Sequence, residues 1–149
     1  PEPEREFYIS GDAFVKDWII KVRNDVPDAP VLVTAGGLLH YFEENKVISL
    51  LRMIGQSGNM EVVFDTVNKK GMAMMQKKYM KQVGHADAQM FFYVDAAKEL
   101  AAKIRGNVKV IAEEPYYRYI PKNGLKLSTK VSMAVSDQFK MVKMIHLKL

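Results

Sequence analysis

The chain has 149 residues, 48 % of them hydrophobic and 26 % charged, with a formal net charge of +5 and no cysteine. This balance sits close to the globular average and excludes disordered, fibrous and disulfide-stapled classes. No apolar run approaches the roughly 18 to 20 residues that cross a bilayer, so no membrane span is expected.

The opening Pro1-Glu2-Pro3-Glu4-Arg5 is acidic and polar where a signal peptide needs a basic start and an apolar stretch. A cytoplasmic setting is the expectation that follows, and thiolate metal sites are ruled out. Lysines are scattered in ones and twos, densest at Lys69-Lys70, Lys77-Lys78 and Lys81. That pattern reads as a solvated surface, with nucleic-acid binding the less favoured alternative. Ten methionines read as flexible core filler.

In chain order, residues 5–10 (REFYIS) combine aromatic and β-branched types and end at Gly11-Asp12, which predicts a short strand and a turn. Phe14, Trp18, Ile19 and Val22 recur at helical spacing over residues 13–22, with Asp12 as the expected N-cap. Residues 30–35 (PVLVTA) form a continuous apolar run before Gly36-Gly37, the signature of a parallel strand covered on both faces. Val47, Ile48, Leu50, Leu51 and Ile54 predict a helix over 43–54, with Gly55 as its C-cap.

Residues 60–67 (MEVVFDTV) predict the next buried strand, and 71–81 a methionine-rich helix. Residues 83–93 carry no clear pattern. A helix is expected over 95–104, stopped near Gly106, then a short strand over 108–112. Residues 114–124, with two prolines and three tyrosines, read as an irregular loop, and 127–135 as a helix. Residues 139–149 (FKMVKMIHLKL) alternate apolar and basic types, which predicts a half-exposed antiparallel final strand. Strands alternating with helices imply βαβ units and a doubly wound α/β sheet, with ligands beyond the carboxyl ends of the strands.

Three places could carry chemistry. Asp12, after a strand, could accept a hydrogen bond from the exocyclic amine of a purine, or could serve only as a helix cap. Gly36 and Gly37 open space at the end of the strongest strand, where His40 could act as a general base and Tyr41 could orient an oxygen nucleophile. A bare strand-to-helix turn would instead leave His40 exposed and Tyr41 packed. Asp65 ends a central strand, where it and Asn68 equally suit capping. His85 and Asp87 fall in the unassigned stretch, His146 reads as structural, and the histidines are too far apart in sequence for a metal site. Pro115-Tyr116-Tyr117-Arg118-Tyr119 could stack on bases, but a packed aromatic loop is favoured. No phosphate-binding GxxxxGK[ST] and no GxSxG elbow occurs.

Ser10-Gly11-Asp12-Ala13, residues 30–42 (PVLVTAGGLLHYF), Glu61-Val62-Val63-Phe64-Asp65 and residues 139–149 together resemble the leucine carboxyl methyltransferase superfamily, nearest the tetracenomycin-type polyketide O-methyltransferases. The resemblance implies a class I, Rossmann-like fold with sheet order 3-2-1-4-5-7-6 and an antiparallel last strand. It implies S-adenosylmethionine as cofactor and methyl transfer to an oxygen of a small-molecule acceptor. The family's adenine-contacting aspartate maps onto Asp12, with Ala13 beside it; where the family carries a glutamate after its fourth strand, this chain has Gly36.

The family's Gly-x-Gly loop and acidic second-strand end match nothing in these 149 residues. The expectation is therefore one domain over 1–149, the later part of a methyltransferase domain, with a mostly parallel sheet. Alone it should have negligible cofactor affinity. It should also have a bare edge at residues 31–35 that favours homo-oligomers or a displaced segment 5–10. The alternative is a non-enzymatic α/β binding module with a basic surface.

Overall fold

A computed structural model of the chain describes residues 8–79 and 89–149. Its elements are α1 (Asp17–Asp25), β1 (Val31–Ala35), a 3-10 turn (Leu39–Tyr41), α2 (Glu44–Gly55), β2 (Met60–Val67), α3 (Lys69–Met74) running on as a π-helical turn (Met75–Tyr79), α4 (Ala97–Ile104), β3 (Lys109–Pro115), α5 (Leu127–Gln138) and β4 (Val142–Lys148). The apolar stripe of α2 (Val47, Leu50, Leu51 and Ile54) is wholly buried, as helical spacing requires. It meets Met60, Val62 and Phe64 of β2, Ile145 and Leu147 of β4, and Leu100 and Ile104 of α4, with Ile19 of α1 closing the same core. Among the described residues no helix is long and apolar enough to cross a membrane.

The four strands form one sheet in the order β1-β2-β4-β3. β1 runs parallel to β2, whereas β4 is antiparallel to both β2 and β3. Three strands therefore share one direction and the reversed last strand lies inside the sheet. That is the expected mostly parallel arrangement with an antiparallel C-terminal strand, although of the three ladders only β1 with β2 is parallel. The burial pattern of β4 suits its interior place. Lys143, Ile145 and Leu147 alternate onto the core face, and a strand paired on both sides satisfies more backbone than one at an edge.

β1 is the bare edge that was expected, but it is not covered on both faces: its burial alternates, and Leu32 is 57 % exposed. The two edges differ in kind. β3 begins at Lys109, carries a register shift between Val110 and Ala112 and ends at Pro115, three devices that discourage edge pairing. β1 has no charge, bulge or proline within its five residues.

Several boundaries moved for local reasons. Residues 8–10 form no strand, and 5–7 lie outside the described residues. α1 starts at Asp17 with Lys16 as its N-cap, because Asp12 instead closes a turn by accepting from the Phe14 amide at 2.9 Å. Gly55 is helical, and the positive backbone angles of the following turn fall on Gly58 and Asn59. Glu113 and Glu114 belong to β3, drawn in by pairing with Ile145 and Met144 of β4. Lys140, at φ +47, sets the turn before β4, so that strand starts at Val142.

Two arginines fasten these pieces. Arg23 donates to the carbonyls of Ser57 and Ala29 at 3.0 and 2.7 Å, and to that of Gly58, tying α1 to the turn before β2. Arg52 of α2 donates to the carbonyls of Ile104 and Lys103 at 2.8 and 2.6 Å, which satisfies the C-terminal end of α4.

Candidate functional site

The carboxyl ends of β1 and β2 meet where an α/β sheet usually holds its ligand. After Ala35 the chain turns through Gly36 and Gly37, and Gly37 takes φ +66, a conformation suited to glycine. Its amide donates to Asp65 Oδ1 at 2.6 Å, so the carboxylate of β2 pins the turn that follows β1. Gly36 has no such backbone demand, and a Cβ built there meets nothing within 4 Å.

His40 points inward from the 3-10 turn and is 7 % exposed, while Tyr41 is 41 % exposed. This reverses the bare-turn arrangement. The His40 carbonyl accepts from the amides of Phe91 and Phe92 at 2.8 and 3.3 Å, which fixes the turn, and its ring lies 4.3 Å from that of Tyr41. Burial lowers the His40 pKa from 6.5, and the nearby Asp65 carboxylate offsets part of that shift. The imidazole is thus held neutral at neutral pH, the state in which it can accept a proton.

Beside β1 lies an apolar cleft of about 290 Å³, walled by Ile9, Trp18, Val33 and Leu38 and bordered by Asp12 and Ala13. The segment carrying Asp12 is clipped in place. Trp18 Nε1 donates to the Ala13 carbonyl at 2.9 Å. The Phe14 and Phe42 rings are 4.5 Å apart, and Lys46 Nζ lies over both. Asp12 and Ala13 therefore come together with the end of β1, and Gly36, which follows Ala35 of β1, does not itself line the cleft. His40 does not line this cleft; Tyr41 lines a separate open groove with Phe42, Lys46 and Phe91. Apolar walls with one carboxylate at the rim suit a flat aromatic ring that presents an amine edge.

Asn68 caps α3, its side chain accepting from the Gly71 amide at 2.7 Å. His146 pairs with Glu61 at 2.8 Å, and His85 and Asp87 lie outside the described residues. Among the described residues no three His, Asp or Glu side chains gather to hold a metal ion.

One cluster has no counterpart in the sequence reading. Lys143, 1 % exposed, donates to Glu113 Oε1 and to the Asp95 carbonyl, both at 2.7 Å. Glu113 Oε2 accepts from the Ala97 amide at the start of α4, and Asp95 Oδ1 from the Lys69 amide at the start of α3. The signal was present in parity: Lys143 shares the face of Ile145 and Leu147, which places a lysine among core residues.

No family model matches the chain. An S-adenosyl-L-methionine-dependent methyltransferase, dpfgK, of Gibberella zeae is 32 % identical over 117 residues, covering 71 % of this chain and 38 % of that protein. The chain thus spans about two fifths of the length of the curated relative it matches.

Proposed function

We propose that the chain is the strand 4-5-7-6 part of a class I methyltransferase domain that uses S-adenosylmethionine to methylate an oxygen of a small molecule. The observation that carries this reading is the sheet order. A reversed C-terminal strand inserted between β2 and β3 is what the class I order requires of its last four positions, and β1, β2, β4 and β3 stand in that order. The likeness to the Gibberella zeae methyltransferase supports it independently. The leucine carboxyl methyltransferase superfamily, in its tetracenomycin-type branch, is the finer placement we favour.

The residues present fit one end of the cofactor. The cleft offers a purine apolar faces, with the Asp12 carboxylate at its amine edge and Ala13 beside it. At about 290 Å³ it lies just below the usual ligand-pocket range of roughly 300 to 1,000 Å³. In the class I order, strand 1 with its glycine loop would lie against the outer edge of β1, where Leu32 is exposed. When bound, S-adenosylmethionine supplies an electrophilic methyl group. The contribution of this chain is to hold the adenine end, fix the turn after β1 through Gly37 and Asp65, and position the acceptor. Of the two candidate catalytic side chains, His40 is buried and lines neither the cleft nor the groove, while Tyr41 faces the groove.

Calorimetric titration tests the reading. The 149-residue chain should show negligible affinity for S-adenosylmethionine, and a protein that also carries the glycine-loop strand should bind it. In that protein Asp12→Ala should weaken binding about tenfold, the loss of one hydrogen bond to a charged group. Tight binding by the 149 residues alone, or an Asp12→Ala protein that binds normally, overturns it.

A further inference from the structure

α5 is arranged inside out. A surface helix ordinarily sends its charges to water and its apolar stripe inward. Here the two charged residues of the helix, Lys130 and Asp137, are half-buried, and the Asp137 carboxylate accepts from the Tyr117 amide at 3.1 Å. Every fully exposed position of α5 is uncharged. Apart from Ala134 the apolar ones among them are large: Leu127 is 76 % exposed, Val131 54 %, Val135 45 %, and Phe139, one residue past the helix, 58 %. At intervals of four they make one stripe about 18 Å long. By contrast, α1, α2 and α4 each place an acid in the first turn and a base in the last, whereas α5 has neither.

We infer that this stripe is a two-fold interface with a second copy of the chain, the two α5 helices packed antiparallel. The spacing of the large side chains is symmetric about position 133. An antiparallel partner centred there sets Leu127 against Phe139 and Val131 against Val135, so one face complements itself, as an isologous dimer requires. Ser128, Ser132 and Ala134 are small and exposed, so the two backbones can approach. Leu125 and Tyr119, 37 % and 75 % exposed, extend the patch at its margin. The turn that carries Tyr119 is fastened to α5 by the hydrogen bond from the Tyr117 amide.

The area also fits a dimer. At these exposures the side chains leave on the order of 600 Å² of apolar surface, with an aromatic counted at roughly 200 Å². That is at the top of the range for the largest patch on a monomer. It buries on the order of 1,200 Å² in a pair, the lower bound for a specific interface. A reversible dimer of micromolar affinity is the expected outcome.

The test is sedimentation of the full chain across a dilution series, with Val131→Glu as the disrupting variant and a thermal melt to show that the fold is retained. Dimers that dissociate on dilution, and a Val131→Glu protein that is monomeric at the same concentrations with an unchanged melt, are expected. The chain has no cysteine, so single cysteines report the geometry. Val131→Cys mixed with Val135→Cys should cross-link faster than either with itself. A wild-type monomer at concentrations well above micromolar overturns the proposal. So does association that survives Val131→Glu but is lost in Leu32→Lys, which would move the contact to the edge of β1. Val131→Cys cross-linking to itself at least as fast as to Val135→Cys excludes the antiparallel arrangement.

Discussion

Replacing Lys143 with methionine keeps most of the unbranched side chain and removes its charge from the most buried ion pair described. Lys143 is 1 % exposed, and its two acceptors, Glu113 Oε1 and the Asp95 carbonyl, each lie 2.7 Å away. The substitution leaves a carboxylate and a carbonyl without their donor. Removing one partner of a fully buried pair costs about 3 to 5 kcal/mol. Glu113 keeps 21 % exposure and its bond from the Ala97 amide, so the loss belongs near the lower end, about 3 kcal/mol. For a domain of this size that lowers the melting temperature by about 6 to 12 °C.

Urea unfolding followed by circular dichroism measures the loss, and a cycle with Glu113→Gln isolates the pair, with a coupling of about 2 kcal/mol expected. The pH dependence adds a second readout. Burial pushes the Glu113 pKa up, but the Lys143 hydrogen bond, the Ala97 amide and the charge of Lys143 outweigh it and hold the carboxyl below 4.5. A depressed folded-state pKa contributes stability above the unfolded value, and that contribution disappears as pH falls through the folded value. The difference between wild type and Glu113→Gln should therefore shrink as pH drops below about 4.5. A loss under about 1 kcal/mol in Lys143→Met, with an unchanged denaturant slope, would refute the reasoning.

Gly71→Ala should destabilise by about 2 kcal/mol in the same unfolding assay, because its Cβ would come within 3.0 Å of the backbone carbonyl carbon of Met141 and closer to the oxygen. Gly36→Glu should leave the melting temperature within about 2 °C of wild type, since a Cβ there meets open space; if the class I reading holds, it should also raise cofactor affinity by supplying the family's glutamate, measured calorimetrically in a protein with the glycine-loop strand. Because burial depresses the His40 pKa below 6.5, the unfolded chain takes up a proton that the folded chain refuses. Stability should fall as pH drops through 6.5 toward the lowered value, and urea midpoints should show that slope diminished in His40→Gln.

Periodicity alone determined most of the elements. The stripe from Val47 to Ile54 and the run from Met60 to Val67 appear where their patterns put them, because each pattern satisfies one element geometry and no other. The reversal of the last strand was also legible, since alternation over residues 139–149 marks a strand with two different faces. Neighbours were decided by the tertiary structure. Local pattern says that β1 is apolar, but only strand order makes it an edge with Leu32 in water.

The candidate site divides in the same way. Gly37 and Asp65 are 28 residues apart, and no spacing rule joins them; the parallel pairing of β1 with β2 brings them within 2.6 Å. His40 and Tyr41 are adjacent, and which of them turns inward depends on where the amides of Phe91 and Phe92 dock. Alternation over residues 139–149 does not decide whether Lys143 can stay on the core face. Lys143 is buried because Glu113 and Asp95, brought from two other segments, give an ammonium enough hydrogen bonds to leave water. A sequence specifies what each residue prefers on its own. The balance between burying a charge and pairing it exists only once distant segments share a place.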